Sequence, residues 1–290
     1  MKNIYAVIGW PLGHSLSPVI QQAAFGALHL DATYVAIPTP PGNERLRFDE
    51  VRRGELSGLN VTIPHKHAAF HAMDSHTAAA RKLGAVNTII RDNGQLRGDN
   101  TDLHGFAESL RTFGQFDPTG ANVVVLGAGG AARAAVYALA DSQAKSMVIA
   151  NRTLQRAQSL AATVTDTSGP EIRTSTLNAN QLEDEISRST LLVNTTSVGM
   201  MGGPDPDMSP INPTWLHKGL LVFDIVYRPT ITPLLHAAEL TGARTLGGLE
   251  MLVLQGAASF KQWTGEDPSL DAMFGAGRAA LSSNRQTGVI

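Results

Sequence analysis

The stretch Ala121–Thr153, "ANVVVLGAGGAARAAVYALADSQAKSMVIANRT", decides the fold. It reads as an apolar strand, a glycine turn, an alanine-rich helix and a second apolar strand. A β-α-β unit with a parallel crossover spans about this many residues. Inside it "GAGGAA", Gly127 to Ala132, fits G-x-G-x-x-G/A, and here the motif follows a strand and opens a helix, the context that gives it meaning. The first glycine permits the tight turn, the second lets a pyrophosphate approach the backbone, and a small third residue lets helix and strand pack. The expectation is dinucleotide binding through Gly127, Ala128, Gly129, Gly130 and Ala131.

The end of the second strand selects the dinucleotide. An NAD site usually places Asp or Glu there to hold the ribose hydroxyls, whereas this chain has "ANRTLQR", with Arg152 and Arg156 one helical turn apart. A carboxylate repels a 2′-phosphate; guanidinium groups bind it with charge-assisted hydrogen bonds. NADP is therefore expected over NAD.

Outward from this unit, the first hundred residues also alternate strand and helix signals. "IYAVIG", "ATYVAIP" and "SGLNVTIP" read as strands, "SPVIQQAAFGALHL" and Glu44–Arg53 as helices, and "GAVNTIIRDNGQLRGDN" as a hairpin turning at Asn93-Gly94. A helix is expected over Asp102–Phe113, further strands at "STLLVNTTS" and "GLLVFDIVY", and a closing helix at "GLEMLVLQGAASFKQW". The fold class is α/β in two domains, one a mostly parallel α/β sheet domain and the other of Rossmann type.

Length and charge bound the function. The 290 residues are enough for roughly two domains of 100–200 residues. With Lys+Arg 23 against Asp+Glu 25 the formal charge is -2, so no overall field draws the chain to nucleic acid or an anionic membrane, and a small-molecule ligand is expected. The absence of cysteine excludes disulfides, thiolate zinc sites and thiol nucleophiles. No run of 18 apolar residues and no signal-like segment occurs, so a cytoplasmic location is expected. His67 and His71 are four apart but lack the glutamate of H-E-x-x-H, so no metal is expected.

Chemistry enters with "NVTIPHK", Asn60–Lys66, a short strand running through Pro64 into a helix start, with Pro64 suited to the first helical position. Amide hydrogens make that end electropositive, so a lysine there breaks a local rule. Such breaks concentrate at functional sites, and Lys66 is a candidate proton carrier or else a surface lysine. Asp102, in "RGDNTDLHGF", is either its partner or a residue that caps the next helix. Ser15 and Ser17, in "GHSLSP", suit a carboxylate at a helix start, and Ser17 suits the N-cap ahead of Pro18. Gln255 is an amide at the edge of an apolar helical stripe.

Taken together, "GHSLSP", "GLNVTIPHK", "GAVNTI", "GDNTD", "GAGGAARA", "NRT", "NTTSVGM" and "GGLEMLVLQGAASF" resemble the shikimate dehydrogenase family, in the family's order and over nearly the whole chain. The resemblance implies NADPH-dependent, reversible reduction of 3-dehydroshikimate to shikimate in the route to aromatic amino acids. It makes Lys66 and Asp102 the catalytic pair, gives Ser15 and Ser17 the substrate carboxylate, and has Asn60, Thr62, Asn87, Tyr227 and Gln255 line the pocket. It adds Asn151, Arg152, Thr153 and Arg156 to the NADP site, with Ile225 and Gly248 near the nicotinamide. It also implies a discontinuous substrate domain, 1–101 plus 248–290, a nucleotide domain at 102–247, and a cleft between them. The protein is expected as a monomer or homodimer. Quinate/shikimate dehydrogenase and a non-catalytic NADP-binding paralogue are the other readings. One departure is visible, Gln21-Gln22 where many members have His-Asn.

Overall fold

A computed structural model describes residues 3–13, 15–164, 169–178 and 180–283. The chain forms two units, one from residues 1–105 and 252–290, the other from 106–251. In the first, β1 (Asn3–Gly9), α1 (Ser17–Ala27), β2 (Ala32–Pro38), α2 (Glu44–Arg53), β3 (Gly58–Val61), α3 (Lys66–Ala72), β4 (Ser75–His76), α4 (Ala78–Leu83), β5 (Thr88–Asp92) and β6 (Gln95–Asp99) precede α5 (Asp102–Thr112). The second contains β7 (Asn122–Leu126), α6 (Gly130–Asp141), β8 (Ser146–Ala150), α7 (Leu154–Ala161), β9 (Glu171–Ser175), α8 (Asn180–Ser187), β10 (Leu191–Asn194), β11 (Leu221–Asp224), α9 (Pro233–Leu240) and β12 (Arg244–Leu246). The chain then runs into α10 (Gly248–Thr264) and ends its described part in α11 (Leu270–Ser283). Among the described residues, no helix is long and apolar enough to cross a membrane.

The second unit is a wholly parallel sheet in the order β12-β11-β10-β7-β8-β9, the doubly wound arrangement of dinucleotide-binding folds. Its strands are continuous apolar runs because both faces are covered: every residue of β8, β10 and β11 is buried. Alanines let α6 approach the sheet closely, with Ala132, Ala134, Ala135 and Ala138 all buried. The strand order reverses between β7 and β10, and a ligand crevice is expected at the carboxyl ends of those strands.

The first unit has a mixed sheet, β2-β1-β3-β5-β6-β4. Strands β1, β2 and β3 pair in parallel, and β4 pairs in parallel with β6; β5 runs antiparallel to β3 and to β6, the latter because the Asn93-Gly94 turn folds the chain back between them. Both turn residues have positive φ, 50° and 83°, as a two-residue hairpin requires. The C-terminal helices complete this unit. Phe260 packs on Phe25 at 4.9 Å between ring centroids, and Trp263 stacks on Tyr5 at 5.1 Å while its indole N–H donates to the Ile89 carbonyl at 3.1 Å.

Trp263 explains Gly58. A Cβ on Gly58 would lie 2.5 Å from the indole nitrogen, and that ring is held by its stack and its hydrogen bond. Gly58→Ala is therefore expected to destabilise the protein by about 2–3 kcal/mol through overpacking. Urea titration would show it, and an unchanged midpoint would mean that the ring yields without cost.

At the Gln21-Gln22 departure both side chains bond to neighbouring elements, although the buried Gln21 Oε1 has no hydrogen-bond partner among the described residues. Gln21 Nε2 donates to the Gly256 carbonyl at 2.8 Å, tying α1 to α10. Gln22 bridges to β2, donating to the Ala32 carbonyl at 3.3 Å and accepting from Tyr34 N at 3.2 Å. The two glutamine amides thus anchor α1 to the elements on either side of it.

Candidate functional site

Two local expectations at helix starts are corrected. Pro64 does not occupy the first helical position: His65 is the cap and Lys66 the first helical residue, because the chain turns once more between Thr62 and His65, closed by His65 N to the Thr62 carbonyl at 2.9 Å. Ser17 is not the N-cap of α1 either. Leu16 holds that place, Ser17 is the first helical residue, and Ser15 Oγ accepts from Ser17 N at 3.3 Å.

The extra turn fixes Lys66. His65 is buried, and its Nε2–H donates to the Thr39 carbonyl at 2.7 Å, with Nδ1 3.4 Å from Glu44. The Lys66 carbonyl accepts from Val86 N at 2.9 Å, so backbone and neighbour both hold the residue in place. Its Nζ donates to Asp102 Oδ2 at 2.5 Å. A cation at a helix start costs about 0.3–1 kcal/mol. A contact ion pair at an effective dielectric near 20 is worth about 4 kcal/mol before desolvation, so the carboxylate decides where the lysine sits.

Asp102 is the first residue of α5, yet its carboxylate does not cap that helix. Its own amide is bonded to Asn100 Oδ1 at 3.1 Å, and the side chain turns to Lys66 and to Asn87, whose Nδ2 donates to Oδ1 at 2.9 Å. Asn87 has no choice of orientation: its Oδ1 accepts from Thr101 N at 2.9 Å and Thr88 Oγ1 at 2.8 Å. Gln255 adjoins the group, with Oε1 3.4 Å from Asn87 Nδ2. Lys66, Asp102, Asn87 and Gln255 thus form one connected cluster, its lysine side chain 21% exposed and its aspartate 10%. An amine held on a carboxylate yet open to solvent on another side can pass protons.

The remaining predicted pocket residues divide. Asn60 is buried with its polar atoms turned inward: Nδ2 faces the Asn87 carbonyl at 3.1 Å, Thr88 Oγ1 at 3.2 Å and Ser259 Oγ at 3.1 Å, and Oδ1 accepts from Tyr34 at 2.6 Å. Burial pushes the Tyr34 hydroxyl well above its ordinary range, which keeps it a donor. Asn60 therefore backs Asn87 from within. Thr62 sits beside the loop that carries the serines: Trp10 N donates to the Ile63 carbonyl at 2.9 Å, and a Cβ on Gly9 would meet Thr62 Cγ2 at 2.4 Å. Ser15 and Ser17 are half-buried on that loop and make no hydrogen bond to the Lys66 cluster. Tyr227 belongs to the second unit, half-buried, its hydroxyl also pushed up by burial.

The glycine loop fits a dinucleotide. Gly127 has φ 111°, and a Cβ there would stand 2.3 Å from Thr195 Oγ1, so only glycine serves. Gly129 caps α6 without any side-chain hydrogen bond, and a Cβ on Gly129 or Gly130 would meet nothing within 4 Å. The first amides of α6 are thereby left for an anion. Asn151 shapes the turn after β8 by donating to the Thr153 carbonyl at 2.9 Å. Arg152 and Arg156 are exposed and have no acidic partner among the described residues. Ile225 and Gly248 meet closely, since a Cβ on Gly248 would lie 2.0 Å from the Ile225 carbonyl oxygen.

Sequence reasoning missed Asp224. It ends β11 fully buried and accepts from Asn194 Nδ2 at 2.9 Å, Val226 N at 3.0 Å and Thr232 Oγ1 at 2.7 Å, so it ties the ends of β10 and β11 to the start of α9. Nothing in "NTTS" or "DIVY" announces that pairing. Burial pushes its carboxyl up to about 6, although the three donors pull the other way. A raised carboxyl favours the folded state fully below the unfolded value and loses that contribution as pH rises toward 6. Stability relative to Asp224→Asn is thus expected to fall on the order of 3 kcal/mol between about pH 4 and 7, and parallel denaturation curves across that range would contradict it.

Comparison with known proteins gives consistent results. Residues 7–89 match the family of the shikimate dehydrogenase substrate binding domain, 109–239 that of shikimate / quinate 5-dehydrogenase, and 248–273 the shikimate 5′-dehydrogenase C-terminal domain. A relative named shikimate dehydrogenase (NADP(+)) from Methanopyrus kandleri is 43% identical over 93% of this chain and 93% of its own. The crystal structure of shikimate 5-dehydrogenase from Thermus thermophilus in complex with NADP(H) and shikimate is 37% identical, with a TM-score of 0.86 over 96% of this chain and 100% of that one. Quinate dehydrogenase from Corynebacterium glutamicum in complex with NAD is 30% identical, with a TM-score of 0.88 over 96% and 99%.

Proposed function

Because this chain belongs to the shikimate dehydrogenase family, we propose that it catalyses the reversible reduction of 3-dehydroshikimate to shikimate, with Lys66 and Asp102 handling the proton. It is an NADP-dependent oxidoreductase acting on a CH–OH group, with a role in aromatic amino-acid biosynthesis. The observation that carries the proton-transfer role is the 2.5 Å contact from Lys66 Nζ to Asp102, with Asn87 donating to the same carboxylate. Residues 1–101 and 248–290 are assigned to the substrate and 102–247 to the cofactor, and the reaction is placed in the cytoplasm.

The chemistry supplied by bound NADPH is hydride delivery to the ketone carbon. As the carbonyl oxygen gains charge, the Lys66 ammonium donates to it, and the proton moves to that oxygen as the C–O bond becomes single. Such a donor, already in place, contributes several kcal/mol, commonly about 3–4. Asp102 keeps the amine oriented, and the exposed side of Lys66 lets solvent return the proton. In the oxidation direction neutral Lys66 accepts the hydroxyl proton. Ser15 and Ser17 take the substrate carboxylate, and Thr62, Asn87, Tyr227 and Gln255 its hydroxyls, with Asn60 supporting Asn87. Gly127 shapes the turn, its own amide being bonded to the Ala150 carbonyl at 2.7 Å. The amides of Ala128, Gly129, Gly130 and Ala131 hold the pyrophosphate, Asn151, Arg152, Thr153 and Arg156 the phosphorylated ribose, and Ile225 and Gly248 the nicotinamide end.

Absorbance at 340 nm after mixing with shikimate tests this directly. Rapid growth with NADP and little with NAD is the expected result. Faster growth with quinate and NAD would instead assign the chain to quinate oxidation, and silence with every pair in a protein that still binds NADPH would end the catalytic reading.

A further inference from the structure

Ser259 lies one helical turn beyond Gln255 on α10, with none of its surface exposed. Its hydroxyl is the meeting point of four polar contacts: Asn60 Nδ2 at 3.1 Å, Thr88 Oγ1 at 2.8 Å, Thr101 Oγ1 at 3.2 Å and the Gln255 carbonyl at 3.1 Å. We infer that Ser259 is a positioning residue for the Lys66–Asp102 pair, acting through Thr88 and Asn87. The inference rests on the reaction proposed above only for its kinetic readout.

A count of protons gives the direction of each bond. Asn87 Oδ1 can only accept, so Thr88, 2.8 Å away, spends its single hydroxyl proton there. The 2.8 Å contact between Thr88 and Ser259 must then be donated by Ser259, in preference to its longer contact with the Gln255 carbonyl. The relay Ser259 to Thr88 to Asn87 Oδ1 holds the amide one way round, with Nδ2 toward Asp102 Oδ1 at 2.9 Å. A flipped amide would set its oxygen against the Asp102 carboxylate and leave the Thr88 proton without that acceptor. The donor on Asp102 Oδ1, opposite the lysine on Oδ2, is thus held from two sides, by the Thr101 amide and, through Thr88, by a hydroxyl that touches neither carboxylate nor lysine.

Alanine at 259 removes the relay's first donor. Asn60 Nδ2 keeps two other acceptors, the Asn87 carbonyl and Thr88 Oγ1, and Thr101 N still holds Asn87 Oδ1 at 2.9 Å, so the loss should be partial. Fixing the carboxylate less firmly is expected to lower kcat about tenfold, with the KM for NADP changed less than about twofold. Because the effect passes through Asn87, Ser259→Ala should cost no more than about twofold in an Asn87→Ala background.

The experiment compares Ser259→Ala, Ser259→Cys as a slightly bulkier variant that keeps only a weak donor, and Ser259→Ala with Asn87→Ala. Kinetics are read beside solvent exchange of the Asn87 side-chain amide in ¹⁵N-labelled protein, its signal identified by loss in Asn87→Ala. Faster exchange in Ser259→Ala, with non-additive kcat losses, is expected. Unchanged exchange, or equal kcat losses in both backgrounds, would overturn the inference. Wild-type protein that leaves shikimate untouched yet shows the exchange difference would refute the proposed reaction while supporting the positioning role.

Discussion

Replacing Lys66 by alanine is expected to lower kcat by about a thousandfold while leaving the KM for shikimate within a few-fold of wild type. Two losses add. The proton donor disappears, and Asp102 keeps its charge near the oxygen that must itself become negative, with Asn87 as its remaining side-chain donor. Uniform substrate binding has other contributors, so the loss belongs in kcat. Lys66→Arg separates the two roles. Guanidinium keeps the charge and can hold Asp102, but it does not give up a proton in proteins, so this variant should remain impaired by about a hundredfold or more. Near-normal turnover in Lys66→Arg would reduce the lysine to an electrostatic role, and near-normal turnover in Lys66→Ala would remove it from the mechanism. Folding should survive either change, since alanine at the first position of α3 relieves a cation from the helix's positive end and arginine keeps the charge that pairs with Asp102.

How far such a site can be read from sequence depends on the range of the interactions that build it. The β7–α6–β8 unit was legible because its signals are local: apolar runs buried on both faces, a glycine that alone tolerates φ 111°, and alanines where a helix meets a sheet. The order β2-β1-β3-β5-β6-β4 was not, since pairing partners are chosen by packing between segments far apart in the chain. Lys66 drew notice by breaking a local rule. That it meets Asp102, 36 residues on, could come only from the resemblance or the structure. The helix starts misled for a related reason. Pro64 and Ser17 have the right chemistry for the positions assigned to them, but one extra turn before α3, and Leu16 at the cap of α1, moved both by a residue or two. Ser259 left only a faint trace, a small polar residue four beyond Gln255 on the same helical face, and a serine bonded back to its own helix would read identically. Asp224 left none, because a buried carboxylate is recognised by its donors, and these come from Asn194, Val226 and Thr232.

Arg152 carries the other large effect. A charge-assisted hydrogen bond is worth about 1.5–3 kcal/mol, so Arg152→Ala should raise the KM for NADP about 10- to 100-fold and leave that for NAD within about twofold. Arg152→Asp should do more, for two opposed reasons acting on the same position. Its carboxylate repels a 2′-phosphate and accepts from a free 2′-hydroxyl, so the preference should swing toward NAD by about a thousandfold or more in kcat/KM. Arg156, one turn further along α7, remains exposed and unpaired by any acidic residue among those described, and should retain part of the phosphate affinity. Removing both arginines is therefore expected to exceed Arg152→Ala alone. Ionic strength supplies an independent check, because exposed guanidinium groups are screened at a Debye length of about 8–10 Å. The KM for NADP should climb with salt in the wild type and flatten in the double variant. An Arg152→Asp enzyme that still prefers NADP would mean that the phosphate is held from elsewhere on the second unit, and the assignment of the turn after β8 would have to be withdrawn.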